Sequence, residues 1–425
     1  MRRLIAACVL LSLTASSDAY KQNTLSRGRI KAMTKQLSVD GGAMQRIIPE
    51  VFGVNPEIRN IFSVPIDDAV GTNSIDDGIS TVTFVKDAVK VEQRLPSILE
   101  NASVGEFEFL PSFSDRFVGY ARYCLFFFVD LLARKSESYT IMVPGEAIAG
   151  VGVVDGKENT FFFDSRPADG AIRVITLGPN PLSREYDPKN PDLAAQGIST
   201  TPQLGVPFIG SNDTHPYTVL FERKLIANPY QDPNRYAESP WTIYDKTIFI
   251  LDQERLRFAA FDFKLSPVEH PLVAAINDLP DILKMCYGIL VHPSVPVAFV
   301  SSAGDLHALK WLEPDKKKRM TPLSAGKICV WPEWSGGLSI QHVQLSPDGR
   351  YLVFSADEYD NWGNPEFFAA AIAPDRPVPV GPLIRLGRCL REDARLTGAC
   401  WIAKPLSFVA SDGLVLYRWK LPGSK

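Results

Sequence analysis

The stretch Ile340-Gln-His-Val-Gln-Leu345, Ser346-Pro-Asp-Gly-Arg350, Tyr351-Leu-Val-Phe-Ser355 decides how the rest of the chain is read. Two apolar-rich runs flank five turn residues. Pro347 presets φ at the second turn position, and Gly349 suits the fourth position of a type I turn. The unit therefore reads strand, tight turn, strand. Weaker copies lie on either side of it, without the Asp and the Gly. Residues 289–291, His292-Pro293-Ser294 and residues 297–301 form one, with Phe299 standing 54 residues before Val353. Residues 400–402, Ala403-Lys404-Pro405 and residues 406–410 form another, with Phe408 standing 55 after Val353. Residues 246–251 begin a fourth, with Phe249 50 residues before Phe299. A polar break and a further apolar run follow each copy, at 257–263, 306–312, 367–373 and 414–421, and a return strand is legible at 383–386. The repeating unit is a four-stranded antiparallel meander of roughly 50 residues.

A meander of that size is one blade of a β-propeller. Residues 81–85 with 89–94, 123–132 with 139–143, and 160–164 with 171–177 read as three earlier units. The expected fold is all-β, a β-propeller of about seven (alternatively six) four-stranded antiparallel blades. The last unit has no room for a fourth strand before Lys425. Because a ring must close, a segment within residues 20–85 is expected to pair with residues 414–421. The run Ser346-Pro-Asp-Gly-Arg-Tyr-Leu-Val-Phe-Ser355 resembles the blade signature of the TolB-like, WD40-like propeller superfamily, and this unit alone carries it in full. The resemblance implies a fold and says little of activity, because such propellers serve as scaffolds, binding modules and parts of hydrolases.

The chain opens with Met1-Arg2-Arg3, a run from Leu4 to Leu13 that is apolar apart from Ser12, and the small residues Ser17 and Ala19 around Asp18. That is the layout of a secretory signal over residues 1–19. The run is too short for a membrane span, and no later segment reaches the roughly 20 apolar residues a span needs. Ile5-Ala6-Ala7-Cys8 looks like a lipoprotein box, but the apolar stretch before it is too short, so anchoring at Cys8 is not expected. An extension over 20–60 and a propeller over 61–425 would follow. The expected location is the periplasm or the extracellular space. The net charge of -3 becomes -4 once the leader is removed, which does not favour nucleic acid as a partner. The basic run Lys316-Lys317-Lys318-Arg319 reads as a solvated loop. Five cysteines remain after cleavage, an odd number, so no disulfide framework is read. Cys389 and Cys400 bracket a short loop and are the one candidate disulfide.

The rhythm breaks at 179–216, 226–240 and 270–285. Long irregular loops on a rigid scaffold are where binding tends to reside. Tyr230, Tyr236 and Trp241 in and beside the second insertion are candidate binding aromatics. The third has helical spacing at Leu272, Ile276, Leu279 and Leu283, broken by Pro280, and predicts one or two short turns of helix. A further candidate is the loop Asp357-Glu358-Tyr359-Asp360-Asn361-Trp362-Gly363-Asn364. Tyr359 and Trp362 are candidate anchors for a partner. Asp357, Asp360, Asn361 and Asn364 offer the oxygen ligands that calcium takes, although not at EF-hand spacing; no other cofactor is expected.

No catalytic residues are assigned. There is no GxSxG, no HExxH and no phosphate loop. Carboxylates near strand ends (Glu222, Asp252, Glu254, Asp305, Asp357, Asp412) would suit a glycosidase only if two faced each other across a channel. The first reading is an exported propeller scaffold that binds another envelope or extracellular protein or peptide through a rim of the ring. Shortening 179–216, or Trp362→Ala, should then weaken that binding. The alternative is a channel-centred hydrolase, carbohydrate-active or metal-dependent and lactonase-like. The sequence leaves the oligomeric state open.

Overall fold

A computed structural model describes residues 46–54, 57–74, 78–86, 88–95, 108–110, 117–122, 125–131, 137–142, 150–155, 160–164, 170–177, 204, 207–208, 217–225, 241–252, 257–277, 286–302, 305–312, 321–327, 338–358, 364–376, 379–391 and 395–423. These residues are almost wholly strand. β1 (Glu50–Gly53) is followed by a first sheet of β2 (Ile58–Val64), β3 (Ala69–Ser74), β4 (Gly78–Val85) and β5 (Ala88–Leu95). The second sheet holds β6 (Glu108–Leu110), β7 (Phe117–Arg122), β8 (Leu125–Asp130) and β9 (Glu137–Met142). The third holds β10 (Gly150–Asp155), β11 (Thr160–Asp164), β12 (Ala171–Thr176), β13 (Pro207–Phe208) and β14 (Tyr217–Lys224), with β13 outermost. The fourth holds β15 (Trp241–Tyr244), β16 (Thr247–Asp252) and β17 (Arg257–Asp262), after which comes a helix, α1 (Pro271–Asn277). The fifth holds β18 (Cys286–Val291), β19 (Val297–Ser302), β20 (Asp305–Leu312) and β21 (Thr321–Lys327). The sixth holds β22 (Leu338–Leu345), β23 (Tyr351–Glu358), β24 (Glu366–Ile372) and β25 (Val380–Gly387). β26 (Gly398–Ile402), β27 (Ser407–Ser411) and β28 (Val415–Lys420) make the seventh, in the order β1-β28-β27-β26. All strand pairings within these sheets are antiparallel.

The fold is thus all-β, as expected, and built of successive meanders. The turn between β22 and β23 shows why its sequence was so legible. Gly349 donates its N–H to the Ser346 carbonyl at 2.9 Å, closing the turn with Gly349 at a φ of 69°. Ser346 Oγ lies 2.7 Å from an Asp348 carboxylate oxygen and accepts the Tyr351 N–H at 2.9 Å. Burial tends to raise the Asp348 carboxyl, but the hydrogen bonds from Ser346 and Arg350 and the Arg350 charge outweigh it and hold the group below the usual value. In the fifth sheet the corresponding turn uses His292. Its Nδ1 accepts the N–H groups of Ser294 and Val295, and its Nε2 lies 2.7 Å from the Gly349 carbonyl. With Nδ1 an acceptor, Nε2 carries the proton and donates. One imidazole therefore builds its own turn and fastens it to the next.

Packing runs from each sheet to the next. Alternation along a strand sends neighbouring side chains to opposite faces. In β23, Leu352 and Phe354 face the fifth sheet while Tyr351 and Val353 face the seventh. Seven apolar clusters follow this rule. One joins the first and second sheets through Phe62, Ile79, Val118 and Val129. The next five join second to third, third to fourth, fourth to fifth, fifth to sixth and sixth to seventh. The last joins the seventh sheet to the first, through Cys400, Val409 and Leu416 against Ile58, Ile61 and Val70. The first strands of neighbouring sheets also approach one another, β2 meeting β26, β10 meeting β15, and β15 and β22 both meeting β18.

The seventh sheet takes its fourth strand from β1. Glu50 to Gly53 pairs with Arg418 to Val415. The segment before it is tied to the sixth sheet, where Ile47 N–H donates to the Arg385 carbonyl at 3.1 Å. The segment after it is tied to the β27–β28 turn, Val54 N–H to the Leu414 carbonyl and Ile58 N–H to the Gly413 carbonyl. Residues 46–54 with Ile58 thus touch three sheets.

The fourth sheet lacks a fourth strand among the described residues, and its outer edge is covered differently. Val268 N–H donates to the Ala260 carbonyl. The Asn277 side chain accepts the Phe258 N–H at 2.8 Å and donates to the Phe258 carbonyl at 3.1 Å, standing in for a strand partner. Leu272 and Ile276 of α1 enter the core between the fourth and fifth sheets. This is the short helix expected from the spacing of those residues.

Candidate functional site

The strands of a meander alternate in direction. First–second and third–fourth turns therefore lie on one rim, and second–third turns and sheet-to-sheet connections on the other. On that second rim, at the junction of the sixth and seventh sheets, several polar groups converge. Glu366 opens β24 with its side chain only 1% exposed. It pairs with Arg385 of β25, and Arg388 lies 3.8 Å away. Asp412, in the β27–β28 turn, is fully buried at its carboxylate. One oxygen accepts the N–H groups of Leu414 and Val415 at 3.1 and 2.9 Å; the other accepts the Tyr417 hydroxyl at 2.8 Å. Arg391 lies 3.5 Å from the same carboxylate. Burial, and then the bond to Asp412 and its charge, raise the Tyr417 phenol, which stays a donor.

Asn364, proposed from sequence as a metal ligand, is instead a backbone clamp. Its Nδ2 donates to the carbonyls of Cys389 and Arg391 at 3.0 and 3.2 Å, and its Oδ1 accepts the Cys389 N–H at 3.2 Å. An amide with both ends so engaged keeps little coordinating capacity. Asp357 lies on β23 opposite Ser339. Asp360, Asn361, Tyr359 and Trp362 lie outside the described residues, as do Tyr230 and Tyr236, residues 1–45, and almost all of residues 179–216 and 226–240. Among the described residues no three His, Cys, Asp or Glu side chains are grouped to hold a metal ion. No helix among them is long and apolar enough to cross a membrane.

Trp241 needs a correction. Its ring lies 5.3 Å from that of Phe162 and over Gly152, where an added Cβ would come within 2.7 Å of the indole. It packs between the third and fourth sheets and is not a displayed anchor. The candidate disulfide is corrected too. Cys389 and Cys400 are buried free thiols. Cys389 lies in the core between the sixth and seventh sheets, whereas Cys400 points from β26 to the opposite face, against the first sheet. The alternation that puts Ala399 and Trp401 beside Cys389 puts Cys400 behind the sheet. Burial pushes the thiols of Cys286 and Cys389 up to about 12, with the Asp412 charge adding at Cys389, and raises Cys400 as well. A thiol held so far above neutrality is a poor nucleophile. In the folded protein at neutral pH all three are expected to resist a thiol-specific reagent and to react fully once the chain is unfolded. Rapid labelling of any of them in the folded state would contradict this placement.

Two of the carboxylates offered for a channel hydrolase are described with their partners. Glu222 pairs with Arg173 at 2.8 Å in the third sheet, and Asp412 is bonded as above in the seventh. Neither faces the other. What the second rim does display is a pair of leucines. Leu390 is 61% exposed and Leu414 46%. The Asn364 clamp fixes the backbone on both sides of Leu390. Leu414 sits on the turn that Asp412 holds. Sequence reasoning missed both, because an isolated leucine in a polar connection carries no periodic signal. The available cue was the run Arg385-Leu-Gly-Arg388-Cys-Leu-Arg391, a cation every third residue.

No family model matches the chain, and no curated protein matches it. Among solved structures, the chain is similar to the β-propeller domain of Myceliophteria thermophila Cps50 (Swd1), with 10% identity, a TM-score of 0.48, and coverage of 87% of this chain and 99% of that one. It is also similar to the C-terminal WD40 domain of Sif2, with 8% identity, a TM-score of 0.49, and coverage of 90% and 100%.

Proposed function

We propose that this chain is an exported scaffold, a seven-bladed propeller closed by its own N-terminal strand, that binds a protein or peptide partner through the second rim. The cyclic order of the seven apolar clusters and the donated strand β1 support the ring. The leader-like residues 1–19 support export. The observation that carries the binding site is the display of Leu390 and Leu414 on backbone held by Asn364 and Asp412. A rigid display loses little conformational entropy on binding, so more of the contact energy appears as affinity. Fully burying an exposed leucine yields about 1.5–3 kcal/mol, so covering these two, each already about half covered, yields about that much together, and each 1.4 kcal/mol is tenfold in affinity.

The test is capture from an envelope extract by the tagged mature chain, residues 20–425, followed by titration of the purified partner. Leu390→Asp with Leu414→Asp is expected to weaken binding roughly 100-fold or more while leaving the unfolding temperature nearly unchanged. Equal affinity of a folded double variant would remove the binding site from this rim.

A further inference from the structure

We draw no further inference here: the strongest candidate, the exposed pair Leu390 and Leu414 on the rim between the sixth and seventh sheets, belongs to the site already described, and nothing in the structure shows the chemistry of the partner that covers it.

Discussion

Removing residues 1–54 is expected to cost most of the chain's stability, because it takes away β1 and the residues that tie it to the sixth sheet. Among the described residues β1 is the partner on the outer edge of β28. Phe52 is 6% exposed and packs edge-on against Phe84 at 4.9 Å in the cluster that joins the seventh sheet to the first. Deleting a buried phenylalanine side chain alone costs about 3–5 kcal/mol. Glu50 is also lost. It pairs with Lys420 at 2.6 Å and lies 3.9 Å from Arg418, whose guanidinium sits over the Phe84 ring. Arg418 is 6% exposed, so its charge would be left in a largely dry site. The truncated chain should unfold at markedly lower denaturant concentration, in more than one step, or fail to accumulate. Adding a peptide of residues 46–57 should recover part of the loss. Phe52→Ala in the full chain separates packing from strand loss and should show a smaller, single-step decrease. A truncated chain as stable as the intact one would mean that β1 is decoration.

The second large effect is expected at Asp412. Its carboxylate collects two backbone N–H groups and the Tyr417 hydroxyl, and it faces Arg391. Asp412→Ala leaves those three donors without their acceptor at a buried carboxylate, a loss of about 3 kcal/mol or more. Asp412→Asn keeps an oxygen for the turn and loses the charge, so it should cost less. Tyr417→Phe removes the bond to Asp412 and the one from the Arg391 backbone N–H, leaves the turn's own bonds in place, and should cost about 1–2 kcal/mol. This order, Ala worst and Phe mildest, is what chemical denaturation of the three variants should return. Similar small losses in all three would show that the turn is held by its backbone alone. Because the same turn displays Leu414, Asp412→Asn should also weaken partner binding if display depends on rigidity.

How much of this was legible follows from where residues are buried. Second strands such as β11, β19 and β27 are covered on both faces, and their side chains are nearly all buried. They read as apolar runs, which is why Phe299 and Phe408 could be aligned with Val353 in sequence. Outer strands have one wet edge and carry a weaker pattern; β14 alternates buried and exposed residues along much of its length. Runs 81–94 and 123–143 were seen as units, yet they are the third and fourth strands of their sheets, since β2, β3, β6 and β7 are more polar or shorter. The site was less legible than the scaffold. Asn364 looked like a ligand because only composition was visible; its clamp depends on Cys389 and Arg391 arriving from another connection. Cys389 and Cys400 looked pairable because sequence distance says nothing of the face a side chain takes. That β28 needs a partner from an earlier segment was legible from a missing strand, a deficit that can be counted without coordinates.

The measurement that tests the ring most directly is a designed cross-link between its two ends. Gly53 and Val415 stand opposite each other in the β1–β28 pair. The Val54 N–H bond to the Leu414 carbonyl makes the next pair a hydrogen-bonded one, so residues 53 and 415 form the closer, non-hydrogen-bonded kind. A Cβ at Gly53 meets nothing within 4 Å. Gly53→Cys with Val415→Cys, oxidised under mild conditions and mapped by mass spectrometry, is predicted to give a monomeric protein. Its N-terminal and C-terminal peptides should be joined to each other, and its unfolding temperature should rise above that of the reduced form. Free thiols at both positions, or links only between separate molecules, would contradict a ring closed by its own first strand.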